Sequence, residues 1–88
     1  MKRFPENARP DIRYPTRWKY TVIGEDREQL EGAIADVVEE RSHSVSLSNV
    51  SSKGRYFSLT LELIVLNEGE RRMIFEKLRA HAAVRYVL

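Results

Sequence analysis

Residues 55–65, RYFSLTLELIV, alternate from end to end. Phe57, Leu59, Leu61, Leu63 and Val65 form one row, and Tyr56, Ser58, Thr60, Glu62 and Ile64 form the other. Successive strand side chains point to opposite faces, so this is a long strand with one buried face. Five large apolar side chains in one row need cover along their whole length, which places the strand centrally in a sheet. Before it, SSKG (51–54) reads as a turn. Before that, SHSVSLSNV (42–50) alternates again: Val45 and Leu47, with Asn49 in the same phase, oppose Ser44, Ser46, Ser48 and Val50. One side is apolar and the other almost bare hydroxyl, which fits a half-buried edge strand.

On the other side, Asn67 and Glu70 form a capping box that opens a helix over about 68–81, with Ile74 and Leu78 as its core pair. The chain closes on AAVRYVL (82–88), a short strand with Val84, Tyr86 and Leu88 directed inward. Near the start, Trp18, Tyr20 and Val22 alternate with Lys19, Thr21 and Ile23 in a first strand that Gly24 ends. Asp26 and Gln29 then cap a helix over about 27–41, whose stripe is Leu30, Ala33, Ile34, Val37 and Val38. Gly32 sits inside that helix at a cost of roughly 1 kcal/mol relative to alanine.

The order β-α-β-β-α-β predicts an α+β, two-layer ferredoxin-like sandwich. Its antiparallel four-stranded sheet runs 4-1-3-2, with both helices on one face. The other face is open and presents Lys19, Thr21, Ile23, Ser44, Ser46, Ser48, Tyr56, Ser58, Thr60, Glu62, Ile64, Arg85 and Val87. Residues 1–16 hold Pro5, Pro10 and Pro15 without strand or helix periodicity, so they read as an extended or mobile arm before one domain, 17–88.

The net charge of +2 divides unevenly. Lys2, Arg3, Arg9 and Arg13 outnumber Glu6 and Asp11 in the arm, while acidic and basic side chains balance over 17–88. A nucleic-acid-binding domain usually carries its positive excess on the domain itself, so this distribution argues against that partner. The absence of cysteine excludes disulfides and thiolate chemistry, and His43 and His81 are too few for a histidine metal cage. No metal or cofactor is expected. No apolar run reaches the roughly 18 residues of a membrane span, and the N-terminus lacks a signal-peptide core, so the expected location is the cytoplasm.

Catalysis finds little support. Ser44, His43 and Asp36 come without a nucleophile elbow or an oxyanion loop, and the acidic residues of the first helix read as its solvated face. SSKGR offers turn amides with Lys53 and Arg55, yet phosphate loops open a helix and this one opens a strand. Lys53-Gly54 supplies the positive φ that a hairpin loop demands. An RNA-recognition signature is incomplete in KGRYFSLT, because Arg55 replaces the first aromatic and Phe57 lies in the buried row.

YPTRWKYTVIG (14–24), SSKGRYFS (51–58) and VRYVL (84–88) resemble the YbeD-like family of small bacterial proteins of unknown function, over about residues 14–88. The strongest shared motif is carried by Ser51, Ser52, Lys53, Gly54, Tyr56 and Ser58. The resemblance implies a ferredoxin-like fold similar to ACT regulatory domains, which bind amino acids and pair through sheets or helices. It implies no established activity. ACT domains take ligand near a glycine-bearing turn after their first strand, a place held here by Val22 to Asp26.

The expected function is therefore a non-enzymatic regulatory or protein-interaction module working through the open sheet face or edge strands. Its partner would be a second copy or another protein. An alternative is a sensor for a small, amino-acid-like metabolite at Gly24–Asp26 or Ser51–Tyr56. A third is weak RNA binding through the arm and a rim of Lys19, Lys53, Arg55 and Arg85. The candidate binding residues are Ser51, Ser52, Lys53, Gly54, Arg55, Tyr56, Ser58, Lys19 and Arg85.

Overall fold

A computed structural model describes residues 12–88. The expectation of an extended arm falls largely on residues 1–11, which lie outside the described residues. The elements are β1 (Thr16–Gly24), α1 (Arg27–Val38), β2 (His43–Val50), β3 (Phe57–Val65), α2 (Glu68–Ala80) and β4 (Tyr86–Val87). The sheet runs β2-β3-β1-β4 with every pairing antiparallel, which is the expected 4-1-3-2 order read from the other edge.

β1 and β3 pair in unbroken register from Thr16–Val65 to Gly24–Phe57. Their shared row, Tyr20, Val22, Leu59, Leu61, Leu63 and Val65, meets Leu30, Ala33, Ile34 and Val38 of α1 and Ile74 and Leu78 of α2 in one buried cluster. Both helices are capped where expected. Asp26 Oδ1 accepts from the Gln29 N–H (3.0 Å), and Asn67 Oδ1 accepts from the Glu70 N–H (2.8 Å). Such bonds satisfy N–H groups that a helix start leaves unpaired. α1 ends at Val38 rather than 41, because Glu39 takes φ 56° and turns the chain out of the helix.

Gly24 closes β1 for a packing reason. A Cβ there would lie 2.6 Å from the Ala83 carbonyl oxygen and 2.7 Å from Leu30 Cδ2. At the layer boundary, the buried Tyr20 hydroxyl donates to the Arg71 carbonyl of α2 at 2.7 Å.

Two phase expectations are overturned, each by one extra residue. In β2, Leu47 pairs with Leu59 but Asn49 pairs with Ser58, so Ser48 bulges out of the ladder. Its hydroxyl donates to the Ser58 carbonyl at 2.8 Å. Beyond the bulge the faces exchange: Asn49 lies with Ser58 on the open side and Val50 lies with Phe57 on the helix side. At β4, the Arg85 N–H donates to the Ile23 carbonyl (2.7 Å) while Tyr86 is the residue paired with Ile23. Two residues thus address one. Val84 is buried as expected, but Val87 pairs with Val22 and packs on the core, while Tyr86 and Leu88 are exposed. Val87 therefore leaves the open face and Tyr86 joins it.

Candidate functional site

The sequence-predicted binding residues separate into three places. The hairpin loop holds Ser51, Ser52, Lys53, Gly54 and Arg55, and it bonds mainly to itself. Ser51 Oγ accepts the Arg55 and Tyr56 N–H groups, each at 3.0 Å. The Ser51 carbonyl accepts the Gly54 N–H at 2.8 Å, and the Ser51 N–H donates to the Tyr56 carbonyl at 2.9 Å. Gly54 has φ 66°, the left-handed conformation that its lack of a Cβ makes inexpensive. Four amides that a phosphate cradle would use are thus committed inside the turn.

The second place is one end of the open face. The register places Asn49, Ser58, Ile23 and Tyr86 in a row across the four strands. Arg85 binds Glu25 through Nε at 3.0 Å, and this carboxylate raises the guanidinium pKa above its already high ordinary value. Tyr56, next to Phe57 at the start of β3, and Tyr86, paired with Ile23, lie at the same end of the sheet. Tyr56, Ser58 and Arg85 thus gather at this end, with Tyr86 as an aromatic that the expected strand phase had hidden.

The third place is Lys19, which pairs in register with Glu62. Four residues from Ile23, it stands about 13 Å away along the strand. No single site contains all the expected residues.

The edge strand β2 presents a different surface. All eight of its residues are exposed. Val45, Leu47 and Val50 face the helix layer, yet remain 37%, 41% and 40% exposed, because the helices pack over β1, β3 and β4 and leave β2 uncovered. Apart from His43, whose Nδ1 lies 2.8 Å from the Arg41 carbonyl oxygen, the strand carries no ionisable side chain.

A groove that sequence reasoning missed lies between the first half of β1 and α2. It encloses about 910 Å³ and is lined by Trp18, Lys19, Tyr20, Arg71, Arg72, Met73, Phe75, Glu76 and Leu88. The Arg71 guanidinium lies 4.8 Å from the Trp18 ring centroid, a cation–π distance, and its Nε donates to the Tyr14 hydroxyl at 3.0 Å. The available signal was Trp18 itself. A half-buried tryptophan at the strand end beyond the two core residues of α2 lies under incomplete cover.

Glu70, Arg41, His81 and Asp36 have structural partners. Glu70 accepts from the Leu66 N–H (2.7 Å) and pairs with Arg41, and the Arg41 hydrogen bond holds its carboxyl below the ordinary carboxylate range. His81 Nδ1 accepts from the Ala83 N–H (3.1 Å), so its Nε2–H faces Asp36 (3.1 Å). Asp36 is therefore engaged away from His43 and Ser44. Among the described residues no cluster of three or more metal-ligating side chains occurs, and no helix is long and apolar enough to cross a membrane.

The chain has relatives in sequence and in fold. Residues 9–88 match the family described as "Protein of unknown function (DUF493)". An uncharacterized Campylobacter jejuni protein is 36% identical over 73 residues, covering 83% of this chain and 84% of its own. A UPF0250 protein of Hahella chejuensis is 29% identical over 83 residues, covering 90% and 91%. The solution structure of protein HP0495 from H. pylori superposes with a TM-score of 0.80 at 26% identity, over 100% of this chain and 98% of that one. The ACT domain of a Chlorobium tepidum GTP pyrophosphokinase gives 0.60 at 20% identity over 82% and 94%, a likeness of fold. With every described residue inside the match, and with relatives of similar length, the chain belongs to the DUF493 family of small, YbeD-like bacterial proteins with an ACT-like fold.

Proposed function

We propose that the chain is a non-enzymatic interaction module that pairs with a second copy of itself along β2. The observation that carries this reading is the uncovered apolar row of an uncharged edge strand. Edge strands in monomers are usually blunted by lysine, proline or a covering element, because their free N–H and C=O groups template further pairing. Here Val45, Leu47 and Val50 stay exposed on the side where a sheet normally buries such residues.

The alternation is also self-complementary. An antiparallel two-fold centred on Ser46 sets each Val45 opposite a Leu47 and each Ser44 opposite a Ser48. No charge is brought against its like, and a two-fold interface needs one patch to fit itself. The product is a continuous eight-stranded sheet with the helices of both copies on one side.

Sedimentation equilibrium up to about a millimolar is the test, since weaker pairing would have little biological weight. A dimer is expected, with the β2 amides protected from hydrogen exchange, and Leu47→Lys should give a folded monomer. A wild-type chain that stays monomeric over that range, with β2 amides exchanging as an open edge, would overturn the proposal.

A further inference from the structure

β4 covers only the second half of β1. Thr21 exchanges both backbone bonds with Leu88 (3.0 and 2.8 Å), so the odd-numbered residues of β1 aim their N–H and C=O groups away from β3. Arg17 and Lys19 follow the same phase, and no strand faces them among the described residues. Their free edge opens on the groove beneath α2. Among the described residues half of one sheet edge is therefore open, with the half-buried rings of Trp18 and Phe75 beside it.

The rim of this groove is cationic. Lys19 has no ion pair among the described residues. Arg71 rests on the Trp18 ring and the Tyr14 hydroxyl, neither of which neutralises it. Arg72 reaches Glu68 only at 3.7 Å, both side chains being largely exposed. The rim carboxylate, Glu76, lies 3.5 Å from Arg79. Lys19, Arg71 and Arg72 thus border the groove beside Glu76, and the Arg72–Glu68 and Glu76–Arg79 pairs are both long and exposed.

We propose that this groove binds an acidic peptide segment of another protein, added to β1 as an extended strand beside Arg17 and Lys19. A free strand edge recognises backbone, which favours a polypeptide over a small molecule. Strand alternation sends one row of the peptide towards the Trp18 and Phe75 rings and the other to the open face, beside Lys19. Acidic residues at the open-face positions and at the flanks complement Lys19, Arg71 and Arg72.

The probe is an acetylated and amidated six-residue peptide alternating glutamate with isoleucine, titrated into the ¹⁵N-labelled full-length protein. Its control is the same peptide with lysine for glutamate. The acidic probe should perturb the Arg17 and Lys19 amides saturably. It should also shift the emission of Trp18, the one tryptophan of the chain. Added salt should weaken it. Lys19→Gln or Arg71→Gln, both outside the core, should each weaken it on the order of tenfold. Equal binding of the basic control, or no perturbation at millimolar peptide, would overturn the proposal. So would perturbation confined to β2, or a Lys19 amide already protected from hydrogen exchange in the free protein. These outcomes do not depend on whether β2 forms a dimer.

Discussion

A methyl group is admitted at one glycine of this chain and refused at another. At Gly24 it would meet the Ala83 carbonyl, a backbone atom that can retreat only by moving the turn before β4. Gly24→Ala is therefore expected to destabilise by about 1–3 kcal/mol, as overpacking in a closed interior does. At Gly32 it would meet nothing within 4 Å, on the exposed side of α1. Gly32→Ala should stabilise by up to about 1 kcal/mol, the difference in helix propensity. Urea denaturation of the two variants checks both signs. From the sequence, Gly24 reads as a strand end and Gly32 as a helix defect. What surrounds each glycine depends on segments distant in the chain, so the sign of a substitution emerges only from packing.

At the scale of elements, local signals performed well, and counting along strands failed only where a bulge intervened. Both helix starts follow from capping side chains within the same few residues, because a cap is a short-range bond. Glu70 goes beyond its expected role. Its carboxylate reaches Leu66 and also ties the start of α2 to Arg41, beyond the end of α1. Its lowered pKa means that Glu70 contributes stability above pH 4.5 and loses it as pH falls through the folded-state value. Glu70→Gln should thus flatten the acid limb of a stability-versus-pH curve, and cost about 1 kcal/mol at neutral pH because the pair is only partly buried. An acid limb of unchanged slope would refute this. The bulges at Ser48 and Arg85 were not legible, since alternation within one strand carries no record of how many residues its neighbour sets opposite.

In the molecule as a whole, two layers meet over a core built around β1 and β3, and Tyr20 spans them. Burial pushes its phenol up to about 12 from the ordinary 10.0. A raised folded-state value means that the stabilisation is complete below pH 10.0 and is lost as pH climbs towards about 12. Tyr20→Phe should lower neutral stability by about 1 kcal/mol through the missing bond to Arg71, and should remove this part of the alkaline loss. Thermal melts across that interval give the comparison. The sequence by itself determined the element order, the fold class, the core rows of β1 and β3, and the family resemblance, because these rest on periodicity and on residues close together in the chain. The tertiary structure alone decided which surfaces stay uncovered: the bare apolar row of β2, the half-edge of β1 beneath α2, and the exchange of Val87 for Tyr86 on the open face. Those depend on where one element stops covering another, and such an end is set by packing between segments that no local pattern brings together.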